Sequence, residues 1–175
     1  MTFHVELIAI RRGTFAARTH MPTRQKGFSL IELLIVVAII LIIAAIAIPN
    51  FLRSKIAANQ SSAVGSLRSL NTACVAYSTS YGQFPGSLAS LGPVTSGGAP
   101  TSTSADLIDA VLVSGIKSGY TFTYTPGTSN QSYSITASPI AQGSSGQNMY
   151  YTDQSNIIRV DTSGSSATDT STPIG

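Results

Sequence analysis

Residues 26–50 read KGFSLIELLIVVAIILIIAAIAIPN, and the fold turns on this stretch. From Leu33 to Ile48 sixteen residues pass without a polar side chain, all of them Leu, Ile, Val or Ala. Phe28 to Ile48 makes 21 positions. As a helix that is about 31 Å at roughly 1.5 Å per residue, close to the hydrocarbon thickness of a bilayer. Such a run suits a membrane span, a signal-peptide core or a buried helix; its length and lack of polarity favour the span. One acid interrupts it. Glu32 costs about 2.5–3.5 kcal/mol if placed at mid-membrane, less near the end where it sits, so it calls for a functional partner. No basic residue lies within the span.

Charge is divided along the chain. Of ten basic residues, five (Arg11, Arg12, Arg18, Arg24, Lys26) precede the apolar run, opposed only by Glu6. From Phe28 onward five positive side chains meet six negative ones, so the overall +3 belongs to the leader. Positive residues stay on the cytoplasmic side, which places the C-terminal part outside and gives no support to nucleic-acid binding. Cys74 is the only cysteine, so no intramolecular disulfide forms.

Pro49 removes one helical hydrogen bond and crowds the preceding turn, so a kink is expected there. Helical spacing resumes at once. Leu52, Ile56, Ala63, Leu67, Leu70, Cys74, Tyr77 and Tyr81 form one apolar stripe, and Gly82 is placed to end it. A Gly/Pro/Ser/Thr-rich loop follows, then a short helix expected from an N-cap at Ser104 through Leu112, closed by Gly115. Alternating aromatics and threonines predict strands over Tyr120–Thr125 and Ser132–Ser138. Two more, Met149–Thr152 and Ile157–Val160, flank a turn at Asp153-Gln154-Ser155-Asn156. The expected fold is α+β: a long kinked N-terminal helix on a small antiparallel sheet. The organisation reads as a basic leader (1–27), an apolar helix (28–48), its amphipathic continuation (49–82), a globular part (83–161) and a disordered Ser/Thr/Gly/Asp tail (162–175). There is no internal repeat.

The segment from Lys26 to Asn50 resembles the type IV pilins and their relatives, the class III signal-peptide family with prepilin-type N-terminal methylation. By that resemblance Gly27 is the small residue after which the prepilin peptidase cuts on the cytoplasmic face. Phe28 is then the new N-terminus, N-methylated by the same enzyme with its charge intact. Glu32 is the acid that pairs with the Phe28 amine of a neighbouring subunit, and Pro49 matches the family's helix kink. Leu41 departs from the pattern, where these sequences usually carry Gly. Beyond Asn50 the likeness thins to a general similarity, over Ala57 to Tyr81 and Tyr-Thr-Asp-Gln-Ser, to short pilins and the major pseudopilins of type II secretion. Met21 would give the short basic leader usual in the family.

The resemblance implies a structural filament subunit, a major pilin in first place and a type II secretion major pseudopilin as the alternative. The implied partners are further copies of the chain, the prepilin peptidase/N-methyltransferase, the inner membrane before assembly, and the assembly machinery (a platform protein and, indirectly, an ATPase). The implied location is the inner membrane as precursor, then an extracellular pilus or periplasmic pseudopilus. No cofactor or metal is expected. A reading from another class remains: Ala45-Ile46-Ala47 satisfies an ordinary signal-peptidase site, which would release a periplasmic binding domain starting at Ile48 and leave Glu32 behind.

Enzyme chemistry is disfavoured. Both histidines, His4 and His20, lie in the leader, so a mature chain has no Ser-His-Asp triad, Cys-His pair or His/Cys zinc site. Asp153, Asp161 and Asp169 are too sparse for a calcium loop. The aromatics Phe28, Phe51, Tyr77, Tyr81 and Phe84 read as core residues before they read as an electron-carrying stack. Cys74, on the apolar stripe, reads as a small buried hydrophobe. The N-x-S sequons at Asn59 and Asn130 read as chance.

Overall fold

A computed structural model describes residues 27–94 and 97–174. Residues 1–26 of the leader, with Met21 and both histidines, lie outside the described residues. The chain divides into two units, one ending at Leu41 and one beginning at Ile42.

Helix α1 runs from Leu30 to Tyr81, 52 residues with Pro49 inside it. Pro49 is accommodated without ending the helix. At the far end Gly82 takes the left-handed conformation, φ 75°, and its N–H donates to Ser78 O at 2.9 Å. Glycine adopts that geometry without a Cβ penalty, which is why the helix stops there.

In the unit from Ile42 onward, six strands form one antiparallel sheet in chain order: β1 (Ile116–Lys117), β2 (Tyr120–Pro126), β3 (Tyr133–Pro139), β4 (Met149–Asp153), β5 (Arg159–Asp161) and β6 (Thr172–Pro173). The register sets Phe122 opposite Ala137 and Tyr124 opposite Ile135. It continues with Ala137 opposite Tyr150, Ile135 opposite Thr152, and Tyr150 opposite Val160. Alternation therefore turns one apolar row inward while Thr121, Thr123 and Thr125 face water. The inward row meets Ala63, Leu67, Leu70, Ala73, Cys74 and Tyr77 of α1 in a single core.

The buried Tyr77 and Tyr120 and the half-buried Tyr124 hand their hydroxyls to loop carbonyls: Tyr77 to Ser102 and Tyr124 to Pro85, both at 2.6 Å, and Tyr120 to Asn148 at 2.9 Å. A buried phenol needs such a partner, and each bond ties a loop to the core. One polar network crosses from helix to sheet. Asn71 Nδ2 donates to the fully buried Thr152 hydroxyl at 2.8 Å, and the Tyr133 hydroxyl lies 3.1 Å from Asn71 Oδ1 and 3.2 Å from Asn156 Oδ1.

Several expectations are corrected. The short helix does not start at Ser104. Residues 105–108 instead pair with the 3-10 turn Leu88–Leu91, through Ala105 N–H to Ser90 O and Leu107 N–H to Leu91 O, both at 2.9 Å. Ser104 Oγ is spent on Pro93 O at 2.7 Å. The helix proper, α2, is only Ala110–Val113, capped by Asp109 Oδ1 accepting from Leu112 N–H at 2.7 Å; Gly115, φ 72°, follows it. Strand β1 was not expected, because two residues carry no periodicity. It exists through the turn Ser118-Gly119, both at positive φ (49° and 76°), the geometry a two-residue hairpin requires. The last predicted strand begins at Arg159 rather than Ile157.

The tail is the largest difference. In place of a disordered segment, Thr172 pairs with Val160, Ile174 N–H donates to Ile158 O at 2.7 Å, and Arg159 Nη1 donates to Ser171 O at 3.1 Å. Ala167 is buried, and Asp161 holds the turn by accepting from Ser163 N–H at 2.8 Å. Composition hides this. Serines and threonines that suit disorder also close short side-chain-to-backbone turns once an arginine and two small apolar anchors bring the segment back to the sheet.

Candidate functional site

The candidate site is the start of α1. Helical bonding begins with Leu33 N–H donating to Ser29 O at 3.2 Å, which leaves Gly27, Phe28 and Ser29 ahead of the helix and Glu32 in its first turn. Phe28 is 79% exposed, and Leu30 to Leu41 are exposed as well. On one side Leu30, Leu33, Leu34, Val37, Ala38 and Leu41 line an apolar groove at helical spacing. This is the only helix among the described residues long and apolar enough to cross a membrane.

Glu32 makes no hydrogen bond or ion pair among the described residues; the one ion pair there joins Lys117 Nζ to Asp109 Oδ2 at 3.4 Å. Its position is favourable in one respect. The first-turn N–H groups of a helix lack partners and carry the positive end of the dipole, which attracts a carboxylate by about 0.3–1 kcal/mol. A single acid on a wholly apolar surface, ahead of which a chain end could lie, can accept one charged donor and define one register.

The remaining candidates scatter. Phe51 is 67% exposed, far from core duty. Tyr77 and Tyr81 have ring centroids 4.6 Å apart, and Phe84 meets Tyr133 edge-on at 4.8 Å. The five aromatics do not gather into one set. Asp153 accepts from Ser155 N–H at 2.8 Å and Asp161 from Ser163, so both hold turns. Among the described residues no three His, Cys, Asp or Glu come together. Asn59 of the first sequon donates to Ser145 O at 2.7 Å, using its amide inside the fold.

Cys74 is a buried free thiol, pushed up from 9.0 to about 12 by burial. Burial also raises Tyr120 to about 12, and raises Tyr124 and Tyr133 further. All four groups are held neutral when folded and ionise more easily when unfolded. Stability is thus fully present below about pH 9 and is lost as pH rises toward 12, because the unfolded chain then binds fewer protons. The urea midpoint of the chain in detergent is expected to stay level from about pH 7 to 9 and to fall by about pH 11. A midpoint that rises over that interval would contradict the buried setting of these groups.

The sequence left one contact row unread. Besides Asn71, α1 presents Asn59 to Ser145 and Ser62 to the Ser118 hydroxyl at 2.8 Å, a polar edge just before the apolar core. The amides at Asn59, Gln60 and Asn71, in the half of α1 that carries the apolar stripe, were the available signal.

Comparison with known proteins bears on the N-terminal part. A family described as the prokaryotic N-terminal methylation motif matches residues 22–48. The chain is 58% identical over 50 residues to the type IV major pilin protein PilA of Myxococcus xanthus (strain DK1622), covering 29% of this chain and 23% of that one. It is 41% identical over 76 residues to a fimbrial protein of Neisseria meningitidis serogroup B, covering 43% and 45%. It is 52% identical over 59 residues to the type IV major fimbrial protein FimA of Dichelobacter nodosus, covering 31% and 37%. The matched segments span less than half the length of these relatives. All three are pilin or fimbrial proteins by name. No solved structure matches the chain.

Proposed function

We propose that this chain, which carries the N-terminal methylation motif of the type IV pilin family, is the structural subunit of a type IV pilus-like filament, most simply its major pilin. The observation that carries the reading is the wholly exposed apolar start of α1 with one unpartnered acid in its first turn. That surface is unsuited to water and suited to a bilayer first and to copies of itself afterwards. The names of the similar proteins, pilin and fimbrial, favour a pilus over a secretion pseudopilus.

In this reading the precursor sits in the inner membrane with its N-terminus in the cytoplasm, and the prepilin peptidase cuts after Gly27 and methylates the Phe28 amine. Subunits then pack helix to helix, with Glu32 of one facing the N-terminal amine of another. A buried carboxylate and a buried ammonium are each costly alone, so together they select register between apolar helices that would otherwise slide. Apolar burial contributes roughly 25 cal/mol per Å² against water. The subunit comes from lipid, so packing of small residues contributes more to the net gain.

The test is the intact mass and N-terminal sequence of the protein expressed with a prepilin peptidase. A chain beginning at Phe28 and one methyl group heavier is expected. A chain beginning at Ile48 would remove Glu32 from the product and with it the filament reading.

A further inference from the structure

We propose that Arg53 and Lys55 form a cationic collar around α1 that engages anionic phospholipid headgroups of the periplasmic leaflet while the subunit waits for assembly. The proposal rests on the membrane residence inferred above. Between Glu32 and Asp106 the chain has no Asp or Glu, so these two cations stand unopposed along the helix. Both are exposed, and neither makes a hydrogen bond or ion pair among the described residues.

Their backbone level along the helix lies just beyond a headgroup layer, within reach of their long side chains. Ile48 is the last residue of the apolar run; Arg53 and Lys55 follow it by about 7.5 Å and 10.5 Å at roughly 1.5 Å per residue. The polar zone of a bilayer extends roughly 5–7 Å beyond the hydrocarbon on each side. Long basic side chains lay their stems along apolar surface and reach such a layer from nearby positions. Past Asn50, Phe51 and Leu52, 67% and 49% exposed, place apolar surface beside the two charges.

The arrangement around the helix selects the partner. Residues two apart lie about 200° apart on a helix, so Arg53 and Lys55 point to opposite sides. A groove on one neighbouring protein meets one side of a helix; headgroups surround it. Cations on this flank also oppose the bias that keeps positive charge cytoplasmic, a bias the leader already satisfies. Attraction to an anionic surface is worth about fivefold in affinity per cation, enough to hold the span at one depth.

The experiment reconstitutes the full chain in phosphatidylcholine bilayers containing phosphatidylglycerol. The protein-associated fraction of spin-labelled phosphatidylglycerol is then compared with that of spin-labelled phosphatidylcholine. The wild type and the R53Q/K55Q variant carry the same leader, so their difference isolates the collar. The variant is expected to lose about fivefold or more of the preference for phosphatidylglycerol, and added salt should shrink the gap. An equal preference in both proteins overturns the collar. So does a variant that keeps its lipid preference but loses cross-linked dimers, since that assigns the cations to a second copy. Extraction of the wild type by carbonate would overturn the membrane reading itself, which separates that failure from failure of the collar.

Discussion

Replacing Glu32 with Ala is expected to leave cleavage after Gly27 largely intact while reducing sheared filaments by about a hundredfold or more. On the proposed pairing, the Ala variant would leave the incoming ammonium buried without a partner, a loss of about 3–5 kcal/mol when one member of a buried ion pair is removed. At about 1.4 kcal/mol per tenfold, that suppresses each addition step by more than two orders of magnitude. Glu32→Gln keeps the shape and a hydrogen-bonding oxygen but not the charge. It should fall between the two if charge is what selects register. The readouts are the sheared-filament fraction and the N-terminal mass of the cell-bound protein. Normal filaments from Glu32→Ala would sink the pairing argument.

Leu67→Ala should be strongly damaging in the unit from Ile42 onward. Leu67 is fully buried and belongs to the core cluster that also holds Leu70 and Cys74 of α1 and the inward aromatics of the sheet. Truncation removes apolar contacts and leaves a cavity that a helix packed on a sheet closes poorly, at a cost of about 2–5 kcal/mol. Small domains have roughly 5–15 kcal/mol in total, so the urea midpoint in detergent should drop markedly. Leu52→Ala, on the same sequence stripe but 49% exposed, serves as the reference and should hardly move that midpoint. Equal effects from the two would mean that the core does not begin where it is drawn.

That contrast shows how far periodicity can be trusted. Leu52 and Ile56 keep step with Ala63, Leu67 and Leu70, yet burial by the sheet begins only at Ala63. Spacing defines a face of a helix; it does not say where along that face a partner lies. The short helix failed for a related reason. Ser104 is a good cap by type, but its segment pairs with the turn at Leu88–Leu91, and that contact is long-range. The Ser/Thr tail failed because composition describes what a segment can do alone, whereas Val160, Ile158 and Arg159 supply partners from a strand already in the sheet.

Local chemistry alone was enough for the apolar run, its single acid at Glu32, the stop at Gly82, the alternating strands from Tyr120 to Asp153 and the inert placement of Cys74. Each depends on residues within a few positions of one another: the period of a helix or strand, the freedom of a glycine, the cost of a charge in hydrocarbon. Only the tertiary structure decided the hairpin at β1, the true start of α2, the return of the tail as β6 and the polar bridge from Asn71 to Thr152 and Tyr133. Those depend on which distant surface becomes available once the sheet has closed over α1. A backbone donor or a buried amide takes the partner the whole fold brings to it, and no window of neighbouring residues contains that partner.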